Sequence, residues 1–145
     1  MIECPACGSS ATVKDIVHSL IPVPYTEPAN YSEVIYTCLT CGEQGDFTGE
    51  NDKAITEALN KSAAASVVVM LDHLASQGII QPGFERCLRL SMGTTKRWKE
   101  GEYTASDLAL LRIVRTFPWI LEVADNNFNV GWRRLWNWFR TNKHK

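Results

Sequence analysis

The sequence predicts an α+β chain: a small β unit at the N-terminus, then an all-α domain. Two observations carry this. Four of the five cysteines fall at positions 4, 7, 38 and 41, among short segments whose apolar residues recur near period 2. From Val67 onward the apolar residues recur at helical spacing instead, broken by glycines and prolines suited to helix ends. A chain of 145 residues, 45% apolar, has room for one domain or two small ones.

Residues 1–49 form the predicted β unit. "ATVKDIVH" and "SEVIYTC" read as strands, and "IPVPYTEPAN" between them reads as a proline-punctuated loop. Residues 50–66, "ENDKAITEALNKSAAAS", read as a linker with a helical turn or two. Residues 67–125 read as five helices. Val67, Met70, Leu71 and Leu74 share one face of the first, which Gly78 ends. Gln81 to Leu88 is a short second helix with Pro82 in its first turn. Met92 to Glu100 is the third, capped by Ser91 and closed by Gly101. Thr104 or Ser106 opens the fourth, with Leu110, Leu111, Val114 and Phe117 on one face. Pro118 ends it and starts a fifth segment, "PWILEVAD".

Charge is unevenly spread along the chain. Residues 1–60 hold two basic and nine acidic side chains, residues 61–125 eight and seven, and residues 126–145 five and none. Such polarity suits a different partner at each end. The N-terminal "MIECPACG" has no basic stretch followed by an apolar one, and no apolar run approaches the roughly 20 residues of a membrane span. A cytoplasmic protein is expected, in which thiols stay reduced and paired cysteines more often bind metal.

"CPACG" and "CLTCG" are matched C-x2-C-G knuckles. Two residues between cysteines let a tight turn present both sulfurs to one ion. The following glycine permits a positive φ, which turns backbone N–H groups toward the thiolates. A disulfide pair and a redox C-x-x-C are the alternatives. The reading adopted is one structural Zn2+ held by Cys4, Cys7, Cys38 and Cys41. Four thiolates close the shell and leave no position for a substrate water, which argues against catalytic zinc. His18 reads as a surface strand residue and Cys87 as a small buried hydrophobe. No catalytic constellation is present: His18, His73 and His144 have no nucleophile context, and no phosphate-cradling glycine loop occurs.

The second and third helices read as a helix-turn-helix, which lays its second helix in the DNA major groove. In "LRLSMGTTKRWKEG", Leu88, Leu90 and Thr95 point inward, with Trp98 closing the rim. Met92, Gly93, Lys96 and Arg97 point outward. Arg97 is the bidentate donor suited to guanine, and Lys96 and Lys99 can neutralise phosphates. The helix N-terminus near Ser91 also favours a phosphate.

Residues 79–101, "IIQPGFERCLRLSMGTTKRWKEG", resemble the helix-turn-helix of the Xre/Cro (lambda-repressor-like) family. Gln81 matches the glutamine opening the second helix, Ser91 the cap, and Arg97, Trp98 and Gly101 the R-W-x-x-G ending. "SDLALLRIVRTFPWIL" is similar to the segment that follows in one branch, which also carries an N-terminal zinc ribbon. That branch is the MqsA (YgiT-type) family of antitoxin-like transcriptional regulators. The resemblance implies a homodimer on a palindromic DNA operator, acting as a repressor, with the ribbon docking a toxin or another protein. It also implies phosphate contacts from Gln81 and Ser91 and base reading by Arg97. Thr94 completes the expected DNA-facing set with Met92, Gly93, Lys96 and Lys99. This chain departs from the family at four positions. Gly93 stands where a base-reading Asn or Gln is common, and Met92 offers only apolar contact. Glu85 replaces a small residue and Arg89 the turn glycine, from which a changed interhelix angle is expected.

In "GWRRLWNWFRTNKHK", Trp132, Leu135, Trp136 and Phe139 fall at amphipathic helical spacing among basic residues. Packing on the helical domain or across a dimer, lying along DNA phosphates, and docking on a membrane surface are three open uses; a membrane is the least expected. The reading as a whole is a non-enzymatic, sequence-specific DNA-binding regulator. The alternative is a zinc-ribbon adaptor that binds proteins and does not bind DNA specifically.

Overall fold

The computed structural model describes residues 2–125. The aromatic basic tail, 126–145, lies outside the described residues. The chain divides into two compact units, 1–66 and 67–145.

In the first unit, β1 (Thr12–Ile21), β2 (Ala29–Cys38) and the two-residue β3 (Gln44–Gly45) form an antiparallel sheet in the order β1-β2-β3. Thr12 sits opposite Cys38 and Ile21 opposite Ala29. Both long strands outrun the segments their period-2 pattern marked. Pairing runs through Ser19 to Ile21 and Ala29 to Tyr31, so the loop shrinks to 22–28. Pro22, Pro24 and Pro28 lack the N–H a ladder needs, and all three fall outside it. Val34, Tyr36 and Cys38 alternate along the buried face of β2, where Tyr36 stacks on Phe47 with ring centres 5.7 Å apart. β1 is an edge strand with Val13, Ile16, Val17 and Leu20 exposed.

Residues 50–66 are a correction to the expected linker. They are the first part of one unbroken helix, α1 (Glu50–Ser76), and belong to the first unit. The segment has no glycine or proline and is rich in alanine, the best helix former. The helix is also fastened at its start. The Asp46 carboxylate accepts from the N–H groups of Thr48, Gly49 and Asn51. The Asn51 amide pairs with the backbone of Val34, accepting its N–H at 2.7 Å and donating to its carbonyl at 2.9 Å. Glu50 accepts from Lys14 Nζ at 2.8 Å and from the Tyr36 hydroxyl at 3.0 Å. By length and composition α1 is apolar enough to cross a membrane, which reading its two halves separately did not foresee. Val67, Met70, Leu71 and Leu74 on α1 are buried in the core of the second unit.

The second unit holds the rest of α1, then α2 (Gln81–Cys87), α3 (Thr94–Lys99), α4 (Ala105–Thr116) and α5 (Ile120–Ala124). Its core joins the α1 face to Phe84, Trp98, Leu111, Val114 and Leu121. Of the face expected on α4, Leu111 and Val114 are buried, Leu110 is half-buried and Phe117 is exposed. Thr104 is the cap of α4, in a reciprocal box with Asp107. Gly78 and Gly101 take left-handed φ of 84° and 93°. There the N–H of Ile79 reaches back to Leu74 and that of Glu102 to Arg97, closing α1 and α3.

Candidate metal centre and basic helix face

The two knuckles repeat one pattern. Cys4 N–H bonds the carbonyl of Ser9, and Cys38 N–H that of Glu43, each at 2.9 Å. Gly8 and Gly42 bond back to the carbonyls of Cys4 and Cys38, also at 2.9 Å, with φ of 71° and 81°. The positive φ is what closes each turn tightly enough to aim two sulfurs one way. Ser9 Oγ lies 2.8 Å from Thr40 Oγ1 and joins knuckle to knuckle. β2 ends at Cys38, which places the second knuckle directly on the sheet.

Together the turns bring the sulfurs of Cys4, Cys7, Cys38 and Cys41 within 4.8 Å of one another. Cys4 to Cys41 and Cys7 to Cys38 are each 3.6 Å. A disulfide needs about 2.05 Å, so these are thiols and not cystines. Tetrahedral coordination with metal–sulfur bonds of about 2.3 Å separates sulfurs by roughly 3.8 Å. The observed spacing therefore fits a single ion among four soft donors. Cys4 and Cys38 are buried, and Cys7 and Cys41 exposed.

Ionisation within the cluster is divided. N–H groups of Cys41 and Thr40 aimed at Cys38 bring its thiol down to about 6, against the pull of burial. The Glu43 N–H acts to lower Cys41, but the thiols of Cys7, Cys4 and Cys38, with burial, push it up to about 12. Cys7 is likewise raised: the Ser9 N–H and Cys41 favour its thiolate, while burial, Cys38 and Cys4 outweigh them. One thiolate forms readily and opposes its neighbours. A cation among the four removes that opposition, which is the electrostatic reason such a cluster takes a metal.

In the second unit, Phe84 of α2 and Trp98 of α3 meet edge to face, ring centres 6.0 Å apart at 85°. Trp98 is buried, more deeply than a rim position requires. The predicted start of α3 is corrected. The helix begins at Thr94, and Gly93, at φ 82°, stands where Ser91 was expected as cap. The Ser91 carbonyl instead receives the N–H and hydroxyl of Thr94, at 3.1 and 2.6 Å. Capping is done from α2 by Glu85, a buried carboxylate. It accepts from Gly93 N–H at 3.0 Å, Thr95 N–H at 2.8 Å and Thr95 hydroxyl at 2.7 Å. Burial acts to raise Glu85, but the Thr95 and Gly93 donors and the nearby Arg97 charge hold it below the usual carboxylate range. Arg89 supplies the left-handed turn, at φ 54°, that a glycine would otherwise give.

The expected DNA-facing residues separate by exposure. Gln81, Ser91, Lys96 and Arg97 are exposed, and Met92 is 96% exposed. Gly93 is half-buried with its N–H held by Glu85. Thr94 is buried, its hydroxyl also accepting from Arg97 Nη2 at 3.1 Å. Lys99 reaches Asp72 of α1 at 2.6 Å, and Lys96 lies 3.9 Å from Glu100. At the start of α3 the Gly93 and Thr95 amides are thus engaged by Glu85 and the Thr94 amide by the Ser91 carbonyl, rather than open to a phosphate.

His18 is exposed on β1. Cys87 is half-buried, not fully buried as expected, with its sulfur 3.6 Å from Asp125 Oδ2. Burial and the Asp125 charge push that thiol up, which leaves it uncharged. Glu85 and Asp72 are the site residues that the sequence pattern did not mark. Glu85 stood out only as a departure from a family pattern, and Asp72 lies 27 residues from the lysine it pairs with. No protein-family model, curated protein or solved structure matches the chain.

Proposed function

We propose that the chain is a DNA-binding transcriptional regulator with one structural zinc. Cys4, Cys7, Cys38 and Cys41 hold the ion in a zinc ribbon; bound there, zinc supplies cross-linking and charge neutralisation and no reaction chemistry. α2 and α3 act as a helix-turn-helix. α3 enters the major groove, and a homodimer occupies an operator of two half-sites. The acidic ribbon is unsuited to DNA and takes a protein partner, a basic toxin being the family precedent.

One observation carries this reading: Lys96 and Arg97 are exposed on a helix whose opposite side is fixed by Trp98, Phe84 and Glu85. A guanidinium on a rigid support suits base reading, since holding it loosely would cost its rotamer entropy on binding. The adaptor reading is favoured by a separate observation, the exposed Val13, Ile16, Val17 and Leu20 of β1. Selection of duplexes from a random pool, followed by gel shift across a salt series, decides between them. The regulator binds its selected duplex on the order of a thousandfold more tightly than random DNA, with affinity falling steeply as salt rises. Arg97→Ala loses about tenfold or more of that preference. Equal binding to selected and random duplexes, or an Arg97→Ala variant that discriminates like the parent, refutes the proposal.

A further inference from the structure

We infer that Glu85 is a positioning residue of the α3 surface: it locks the reading helix against α2 and occupies the Gly93 and Thr95 amides at the start of α3, so that DNA meets side chains there and not those two N–H groups. This rests on the DNA-binding reading above.

The three bonds to Glu85 arrive at two points of one short helix. Gly93 N–H lies before its first turn, and Thr95 offers both N–H and hydroxyl within it. A helix held at a single point can still rotate about its axis. One held at both oxygens of a buried carboxylate, with Trp98 packed a turn later on Phe84, cannot. The next residue in the chain of support is Thr94. Its hydroxyl donates to Ser91 O and accepts from Arg97 Nη2, so the guanidinium is held on the turn that Glu85 fixes. Fixing the azimuth of α3 therefore fixes where Arg97 points.

The same carboxylate changes what the helix end can bind. Its negative charge stands where a phosphate would sit on the Gly93 and Thr95 amides. Nonspecific backbone binding at that end is opposed, and phosphate attraction is left to the exposed Lys96 and Arg97 side chains. Selectivity gains from both effects: correct aim at the base, and weaker grip on arbitrary DNA.

The test compares the parent chain with Glu85→Gln and Thr95→Val, each titrated against the selected duplex and a random duplex across the same salt series. Glu85→Gln keeps the shape and loses the charge. Its affinity for the selected duplex falls about tenfold, the size of a lost charged hydrogen bond, while its affinity for random DNA does not fall. Thr95→Val, which keeps the charge and the amide, shows a smaller fall on the selected duplex. A structural defect alone would lower both affinities together, and that result overturns the inference. So does a Glu85→Gln variant that discriminates like the parent. Should Glu85→Gln fail to fold, Thr95→Val decides alone, and an unchanged preference there refutes the role. If the parent itself shows no preference, the DNA-binding reading falls and this inference with it. If the parent discriminates and the variants match it, only the inference falls.

Discussion

Removing the metal should unfold the first unit and spare the second. Among its described residues the first unit buries few apolar side chains: Cys4, Ala29, Val34, Tyr36 and Cys38. Val34 and Tyr36 are the large ones, contributing about 1.5–3 kcal/mol each. Ordering the backbone costs about 1–2 kcal/mol per residue, over two strands of ten residues and the turns that join them. Ladder hydrogen bonds and the Asp46, Glu50 and Asn51 contacts offset part of this. Zinc bound by the four thiolates, as proposed, would contribute about 10–16 kcal/mol, more than the buried side chains together. The assay exploits where the tryptophans lie: none falls in residues 1–66, and the two described ones, Trp98 and Trp119, belong to the second unit, so tryptophan emission does not report the first. Hydrogen exchange at β2 amides reports the first. With excess chelator, protection at Val34 to Cys38 should vanish and residues 50–66 of α1 should fray with it, because Asn51 loses its strand. Tryptophan emission and its thermal transition should stay put. A chain shown by elemental analysis to be metal-free, yet still protecting those amides, would refute the reasoning.

Other outcomes follow from the second unit. Trp98→Ala removes a buried ring and its edge-to-face partner, so thermal or urea unfolding should show a loss of about 3–5 kcal/mol. Gly93→Ala meets no atom within 4 Å but must hold φ at 82°, so the cost should be backbone strain alone, about 1–2 kcal/mol by denaturant titration. In acid two steps are expected. His73 is lowered from 6.5 by burial and then by Arg115, so the unfolded chain takes its proton first; that stabilisation is present above 6.5 and lost as pH falls through the lower folded value. Glu85 is lowered from 4.5, so its contribution is present above 4.5 and lost below, through its own lower folded value. Stability of the second unit measured against pH should show both limbs, and Glu85→Gln should diminish only the more acidic one, while Asp46 and Glu50, also held low, act on the first unit.

The cysteine knuckles were legible because metal ligation demands particular residues at a particular spacing, and the positions alone marked the cluster. The strands were legible in part: alternation located them, but their polar outer ends, such as Ser19 and Asn30, carry no alternation signal. α1 was cut in two by composition. A polar alanine-rich half and an apolar half look like different objects, whereas helix propensity and the absence of any breaker treat them alike. The start of α3 was misplaced because Ser91 has the chemistry of a cap. The cap that forms comes from a residue on the preceding helix, eight and ten positions away from its donors, beyond any local rule. The same distance hides the pairing of Lys99 with Asp72.

Each cysteine turn buries its leading cysteine and leaves its trailing one exposed. An ion seated there is open on one side and walled on the other. A competing thiol or small chelator must begin by displacing Cys7 or Cys41, while Cys4 and Cys38 keep hold from behind. Departure of an ion held by all four would then be a sequence of replacements that begins at the outward pair, with its rate set there even though its affinity belongs to the whole set.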